Sequence, residues 1–169
     1  MSASPLAWPF RPQFFIGFVV CAALLGYALF EQYHAGIAPC PLCSLQRVAF
    51  VALGIVFLIG AAHGPRAAGG RRIYAILVLL VAAAGIAIAA RHLWLQSLPP
   101  DKVPDCGPGL AYMLDAFPLS KTLMMVFTGS GECAVVNWQF LGLAMPAWAL
   151  IWFAILGVWA LWSGFRART

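Results

Sequence analysis

The chain of 169 residues is 63% hydrophobic and only 9% charged, with a formal net charge of +5 at pH 7 and a mean hydropathy of +0.91. Soluble domains average about 45–50% apolar and about 25% charged residues, and so short a chain cannot bury this much apolar surface in a water-soluble core. The composition therefore excludes a soluble enzyme and a disordered linker. It also excludes a nucleic-acid-binding domain, because the ten Lys and Arg residues are scattered through apolar sequence.

Four apolar stretches are long enough to cross a bilayer, which takes roughly 20 mostly apolar residues. They cover residues 14–30, 45–62, 73–95 and 143–162. They are continuous rather than alternating in polarity, so they predict helices and not barrel strands. The first is longer than the core of a signal peptide and is expected to be a retained anchor. We therefore predict an all-α membrane protein, a four-transmembrane-helix bundle forming a single domain over residues 1–169.

Charged residues are distributed unevenly between the segments that flank these spans. The two terminal flanks and the loop between the second and third spans carry no acidic residue but six arginines, which are Arg11, Arg66, Arg71, Arg72, Arg166 and Arg168. All five acidic residues fall in the other two loops, residues 31–44 and 96–142. By the positive-inside rule both termini are predicted to be cytoplasmic, and these two loops face outward.

The first outward loop ends in the C-x-x-C motif formed by Cys40 and Cys43, at the predicted start of the second helix. A thiolate at a helix N-terminus is stabilised by unpaired backbone N–H groups and the helix dipole, which suits reversible redox chemistry. Arg47 follows four residues after Cys43 and would share its helix face, where a permanent cation stabilises the thiolate further and can polarise a ligand carbonyl. The alternatives are a static disulfide or half of a zinc site for the cysteines, and a snorkelling side chain for Arg47.

The second outward loop holds Cys106 and Cys133, each in Pro- and Gly-rich sequence typical of exposed segments. Four of the five cysteines thus lie on the outward side, which fits disulfide chemistry in an oxidising compartment. Cys21, in the first span, is interpreted as a small hydrophobic residue. A zinc site would take ligands from compact motifs, whereas Cys106 and Cys133 are isolated and far apart in sequence, so no metal is expected. A purely structural disulfide in this loop stays open as an alternative.

Residues 112–127, between these two cysteines, are strongly apolar. They predict a short helix, broken at Pro118, that lies in the membrane interface and keeps the loop near the C-x-x-C motif. Arg91 and His92 end the third span on the same outward side. Ionisable residues in a membrane segment are candidates for function, and His92 is either a hydrogen-bond donor to a carbonyl at the interface or only an interfacial cap.

Taken together, these features resemble the family of disulfide bond formation protein B (DsbB). The resemblance covers nearly the whole chain, from the first span to the fourth. Its most specific parts are two blocks of sequence, Pro39-Cys40-Pro41-Leu42-Cys43 with Arg47, and Gly131-Glu132-Cys133-Ala134 followed by Trp138-Gln139-Phe140-Leu141-Gly142-Leu143-Ala144-Met145-Pro146.

The resemblance implies a bacterial inner-membrane enzyme that reoxidises a periplasmic, thioredoxin-like (DsbA-like) dithiol protein and passes the electrons to the membrane quinone pool. Cys106 would form the mixed disulfide with the partner, and Cys133 would be its mate in the loop. Cys40 and Cys43 would take the electrons from that pair. Because thiol pairs alone would struggle to regenerate a strongly oxidising partner, coupling to a quinone supplies the driving force.

On the cofactor side, the resemblance places the Cys43 thiolate next to a quinone, ubiquinone or menaquinone, with Arg47 beside it and with His92 and Gln96 nearby. Three alternatives are weighed against this assignment. The chain could be a four-span scaffold with structural loop disulfides, or a metal-binding membrane protein. It could also be a quinone reductase of the vitamin K epoxide type, although the C-x-x-C motif usually comes late in those chains.

Overall fold

The computed structural model describes residues 8–34, 36, 39–103, 110–129, 131–136 and 138–166. The regular elements, in chain order, are α1 (Phe10–His34), α2 (Pro41–His63), α3 (Ala68–Gln96), α4 (Leu110–Ala116), α5 (Leu119–Thr128), β1 (Gln139–Phe140), β2 (Leu143–Ala144) and α6 (Met145–Phe165). Short 3-10 turns occupy Pro100–Lys102 and Gly131–Cys133. The predicted four-helix membrane bundle is confirmed, since α1, α2, α3 and α6 are each long and apolar enough to cross a membrane.

The helices differ from the predicted spans at both ends of the bundle; α3, for example, begins at Ala68 and not at residue 73. The loop predicted over residues 31–44 is shorter, because α1 continues to His34 and α2 already begins at Pro41. Proline is well suited to the first helical position, where no N–H partner is needed, and the Cys40 Sγ caps the helix by accepting the N–H of Cys43 at 3.2 Å. The third helix ends at Gln96, next to the predicted end of the span at residue 95, and Arg91 and His92 lie in its last two turns.

The bundle packs α3 most extensively against α6 and α1 against α2, with further contacts between α2 and α3 and between α1 and α6. Fully buried aromatic rings fill its centre, where Phe14, Phe57 and Phe153 have no exposed surface. Phe50 of α2 stacks on Phe153 of α6 with ring centroids 4.0 Å apart. In the most apolar 18-residue stretch of each of these helices, only 22 to 39% is buried inside the protein, so the remaining apolar surface faces lipid.

Two short helices stand where one helix broken at Pro118 was predicted, and Pro118 is the N-cap of α5. The Thr122 Oγ1 donates a hydrogen bond to the Met113 carbonyl at 2.9 Å, which joins α5 to α4. The Arg91 guanidinium donates to the carbonyls of Phe127 and Thr128, both at 3.0 Å, and so fastens the end of α5 to α3. The second outward loop is therefore held against the bundle. Its placement in the membrane interface and the orientation of the termini stay predictions.

A two-stranded hairpin just before α6 departs from the all-α prediction. Its antiparallel pairs are Gln139 with Ala144 and Phe140 with Leu143. Leu141 and Gly142 form the turn with φ of 53° and 77°, as in the two-residue turns that match strand twist, although leucine rarely adopts such a φ. The Trp148 Nε1 donates to the Phe140 carbonyl at 3.1 Å and ties the hairpin to the first turn of α6.

The close approach of α3 and α6 depends on Gly85. A Cβ at this position would lie 2.6 Å from the Phe153 ring, which is fully buried and stacked on Phe50. We expect Gly85→Ala to destabilise the protein by about 1–3 kcal/mol through overpacking. Thermal or denaturant unfolding in detergent measures the change. The matched control is Gly26→Ala, because nothing lies within 4 Å of a Cβ there; equal loss in both variants would contradict the packing explanation.

Candidate functional site

Three of the four outward cysteines meet at one end of the bundle. The Cys133 side chain is in hydrogen-bonding contact with the Cys40 sulfur, and the Cys40 thiol donates a hydrogen bond to the Cys43 sulfur across 2.8 Å. The three sulfur atoms thus form a chain from the second outward loop to the C-x-x-C motif. Cys106 lies outside the described residues, and Cys21 is buried in α1, apart from this cluster, against Gly54 of α2.

An apolar cover lies over one side of this cysteine cluster, where Cys133 meets Cys40. Cys133 and Leu95 are fully buried, and Met113 of α4 and Val126 of α5 are each 2% exposed. These residues form a second hydrophobic core together with Cys40 and Leu42. The short helices α4 and α5 are therefore part of the site, because they exclude water from the place where the sulfur atoms meet.

Cys40 is held in its neutral thiol form at physiological pH. The hydrogen bond from Cys133 lowers the pKa of Cys40, whereas the hydrogen bond donated to Cys43 and burial raise it, and the net effect is a pKa of about 12. Since the thiolate is the reactive form of cysteine, Cys40 is a poor nucleophile in the reduced protein. It is instead suited to being attacked when it is part of a disulfide.

His92 links α3 to both cysteine segments and is only 2% exposed. Its Nδ1 accepts a hydrogen bond from the Gln46 side-chain amide at 3.2 Å, so the proton resides on Nε2. The Nε2–H donates to the Cys133 carbonyl at 3.1 Å and lies 3.8 Å from the Cys40 Sγ. His92 thus donates a hydrogen bond to the Cys133 carbonyl, and its role toward a bound ligand stays a prediction.

Arg47 is oriented by contacts with α1. Its guanidinium donates to the Gln32 side-chain oxygen and, at 3.0 Å, to the Ala28 carbonyl. Arg47 and Cys43 both line the same two cavities, as expected for residues one helical turn apart. The guanidinium of Arg47 is therefore fixed at the wall of these cavities, and the side chain does not snorkel freely to the membrane interface.

The larger of these two cavities, here called the apolar cavity, has a volume of about 470 Å³ and lies between α1, α2, α6 and the hairpin. Its walls are almost entirely hydrophobic, apart from Gln46 and Arg47. Aromatic side chains from the hairpin region and from all three of these helices line it, namely Tyr27, Phe50, Trp138, Phe140, Trp148 and Trp152. Volume and lining are those of a pocket for a small, mostly apolar molecule held by few polar groups.

The second cavity, here called the polar cavity, has a volume of about 310 Å³. It shares Cys43 and Arg47 with the apolar cavity, and Cys40, His92 and Gln96 line it as well. Gln96 is thus near the cysteines but lies on the polar side and does not line the apolar cavity. The C-x-x-C motif consequently separates an apolar space from a polar one.

The sequence interpretation missed Gln46 and the aromatic walls of the apolar cavity. Gln46 is 5% exposed and contacts His92 across two helices. The sequence does contain a signal for Gln46, because a polar residue one turn after Cys43 in an apolar span is a candidate for function. The contributions of Trp138 and Phe140 depend on the hairpin, which the periodicity does not predict.

Comparison with known proteins shows the family to which the chain belongs. The family model described as Disulfide bond formation protein DsbB matches residues 10–163. Three curated relatives carry the name Disulfide bond formation protein B. The one from Xanthomonas euvesicatoria pv. vesicatoria is 48% identical over 98% of this chain and 96% of the relative. That from Nitrosococcus oceani is 54% identical over 90% of each chain, and that from Azoarcus sp. is 48% identical over 94% of each.

Proposed function

Because this chain belongs to the DsbB family of membrane proteins for disulfide bond formation, we propose that it generates disulfides by oxidising a DsbA-like dithiol protein and delivering the electrons to a membrane quinone. One observation carries the proposal. The Cys133 thiol contacts Cys40, while the other half of the C-x-x-C motif, Cys43, lines an apolar cavity beside Arg47. Electrons entering at the outward loop therefore have a continuous sulfur path to that cavity.

The residues around the apolar cavity fit a quinone. Its aromatic and aliphatic walls would pack on the ring and the first part of an apolar tail, and the guanidinium of Arg47 offers a cation for a ring oxygen. A bound quinone supplies the two-electron acceptor for the Cys40–Cys43 dithiol. Cys43, Gln46 and Arg47 would face the polar end of the quinone, because they line the apolar cavity. His92 and Gln96 would act on it from the polar cavity, on the other side of the C-x-x-C motif.

The chain's own residues set the order of the thiol exchange. The partner's thiolate attacks Cys106 of the Cys106–Cys133 disulfide and releases Cys133 as a thiolate. Cys133 then attacks Cys40 of the Cys40–Cys43 disulfide, which forms a Cys133–Cys40 bond and releases Cys43 as a thiolate beside Arg47. The partner's second thiolate breaks the bond to Cys106, and Cys106 attacks Cys133 of the Cys133–Cys40 bond. This re-forms the Cys106–Cys133 disulfide and leaves Cys40 and Cys43 as the dithiol, so that every step exchanges one S–S bond for another. His92 positions the Cys133 backbone for this attack.

The proposed function also implies where the protein lies in the cell. The chain would lie in the bacterial inner membrane with both termini in the cytoplasm, so that the cysteines face the periplasm, where disulfides are formed. A quinone reaches the apolar cavity from the bilayer, and the soluble dithiol protein reaches Cys106 from the periplasm.

We test the proposal by following anaerobic quinone reduction by the purified protein in detergent, with either a reduced thioredoxin-like dithiol protein or a small dithiol as donor. Wild type is expected to turn over with both donors. Cys106→Ser is expected to lose turnover with the protein donor and keep it with the small dithiol, which can reduce the Cys40–Cys43 disulfide directly. If folded wild-type protein reduces no quinone with either donor, the proposal is refuted. The alternative of a four-span scaffold with structural loop disulfides would then be favoured.

A further inference from the structure

We propose that the reduced cysteine cluster is also a binding site for a thiophilic divalent cation such as Zn²⁺, with Cys40, Cys43, Cys133 and His92 as ligands. The Sγ atoms of Cys40 and Cys43 and a ring nitrogen of His92 all lie within 4.8 Å of one another. Cys133 adds a third sulfur, because its thiol is in hydrogen-bonding contact with Cys40. This goes beyond the proposed function, and it differs from the expectation from the sequence that no metal binds.

The donor set matches the known preferences of zinc. Three thiolates and one imidazole form one of the common tetrahedral zinc sites, with Zn–S distances of about 2.3 Å and Zn–N distances of about 2.0–2.1 Å. Tetrahedral geometry then separates neighbouring donor atoms by about 3.5–3.8 Å. The Cys40 Sγ lies 3.8 Å from the His92 Nε2, and the Cys40 and Cys43 Sγ atoms lie 2.8 Å apart. The two sulfurs of the motif need to separate by about 1 Å, and the Cys133 Sγ has to move toward the other three donor atoms, for the four to surround a cation.

Gln46 provides the outer partner that a histidine ligand requires. Metal-bound histidines usually donate their second ring N–H to an acceptor that fixes the ring. Gln46 already bonds to the Nδ1 of His92 through its amide nitrogen, and it is buried against this ring. Rotation of the amide by half a turn places Oε1 against Nδ1–H, and the lone pair of Nε2 then points toward the sulfur atoms. The bond to the Cys133 carbonyl is replaced by the bond to the metal.

The polar cavity offers the cation an entry path. Cys40, Cys43 and His92 all line it, and so do the carboxylates of Glu31 and Glu132. These two acids attract a divalent cation to the entrance. Arg47 also lines the cavity, and its guanidinium is held by Gln32 and the Ala28 carbonyl on α1. Its positive charge favours the thiolate of Cys43, which is the form of cysteine that binds a metal.

The cation can bind only to the reduced protein, because a sulfur atom in a disulfide cannot become the thiolate that binds the metal. Each bound cation displaces three thiol protons and changes no oxidation state. The metal would hold Cys133 against the C-x-x-C motif and make all three sulfurs unavailable for exchange. If the proposed function is correct, micromolar Zn²⁺ would therefore inhibit disulfide generation.

The direct test uses Cd²⁺ as the probe and does not depend on quinone activity. Reduced, chelator-treated protein in detergent is titrated with Cd²⁺ while the thiolate-to-cadmium charge-transfer absorption is recorded, and bound metal is counted after equilibrium dialysis. We expect one Cd²⁺ per chain in the reduced protein and none in the oxidised protein. Equal binding by both forms, or none by the reduced form, would overturn the proposal whatever the result of the quinone assay.

Single variants identify the ligands. His92→Ala and Cys133→Ser are each expected to weaken Cd²⁺ binding at least tenfold, and Gln46→Ala by about 10- to 100-fold as an outer partner. Cys21→Ala, His63→Ala and Cys106→Ser are the matched controls and should bind as the wild type does. Circular dichroism and elution volume establish that each variant is folded. Undiminished binding by folded His92→Ala or Cys133→Ser, or loss of binding in Cys106→Ser, would refute the four-ligand site.

Discussion

Cys43→Ser is expected to lower quinone reduction to the rate measured without protein, with the dithiol protein and with the small dithiol alike. Cys43 lines the apolar cavity and is the only cysteine among its lining residues in the described part of the chain. A serine hydroxyl forms no disulfide, so neither donor has a route to the acceptor. The measurement is the anaerobic decrease in quinone absorbance at saturating donor.

Cys21→Ala is the control for this experiment, since Cys21 is buried in α1 against Gly54 and lines neither cavity. It should keep wild-type turnover. Comparison with Cys106→Ser distinguishes the step at the quinone from the step at the dithiol protein. With the small dithiol as donor, Cys43→Ser should fail, whereas Cys106→Ser should still reduce quinone. Residual turnover in folded Cys43→Ser would show that electrons reach the quinone from another sulfur.

Ala28→Phe is expected to raise the KM for quinone at least tenfold, which corresponds to about 1.4 kcal/mol of lost binding. Ala28 lies on α1 where both cavities meet, next to Cys43 and Arg47. A benzyl side chain there would occupy space that the ring of a quinone would otherwise fill. Because the cysteines are unchanged, reduction of the Cys40–Cys43 disulfide by a small dithiol should proceed at the normal rate.

The matched control is Ala84→Phe, which adds the same volume on the exposed, lipid-facing surface of α3. Initial rates over a range of quinone concentrations give KM and kcat for both variants, and thiol trapping gives the rate of disulfide reduction. An unchanged KM in Ala28→Phe would mean that the quinone binds outside the apolar cavity. Equal effects in both variants would point to a general disturbance of the bundle.

Much of the site could be predicted from local sequence, because local physics determines it. The C-x-x-C motif lies at a helix start since Pro41 suits the first helical position and the Cys40 sulfur can cap the helix. Arg47 and Cys43 share a helix face because they are one turn apart. Both relations follow from the geometry of a single helix, and the structure contains both.

Contacts between distant segments could not be predicted in this way. Gln46 and His92 are separated by 46 positions, and His92 and the Cys133 carbonyl by 41. Each residue alone fits several roles, and only the packing of α2, α3 and the second outward loop selects one. The hairpin was missed for a related reason, since its turn needs Leu141 in a conformation that leucine seldom adopts and that surrounding contacts must stabilise.

The sequence by itself determined that lipid surrounds most of the protein and where its four spans lie, because the length and hydropathy of each segment act independently of the others. The charge of the flanking segments predicts the side of the membrane on which four of the cysteines lie. The tertiary structure alone decided that Cys133 meets Cys40, that His92 bonds to the Cys133 backbone, and that an apolar and a polar cavity adjoin Cys43. These features arise where helices and loops far apart in the chain pack together, and the free energy of that packing belongs to no single segment.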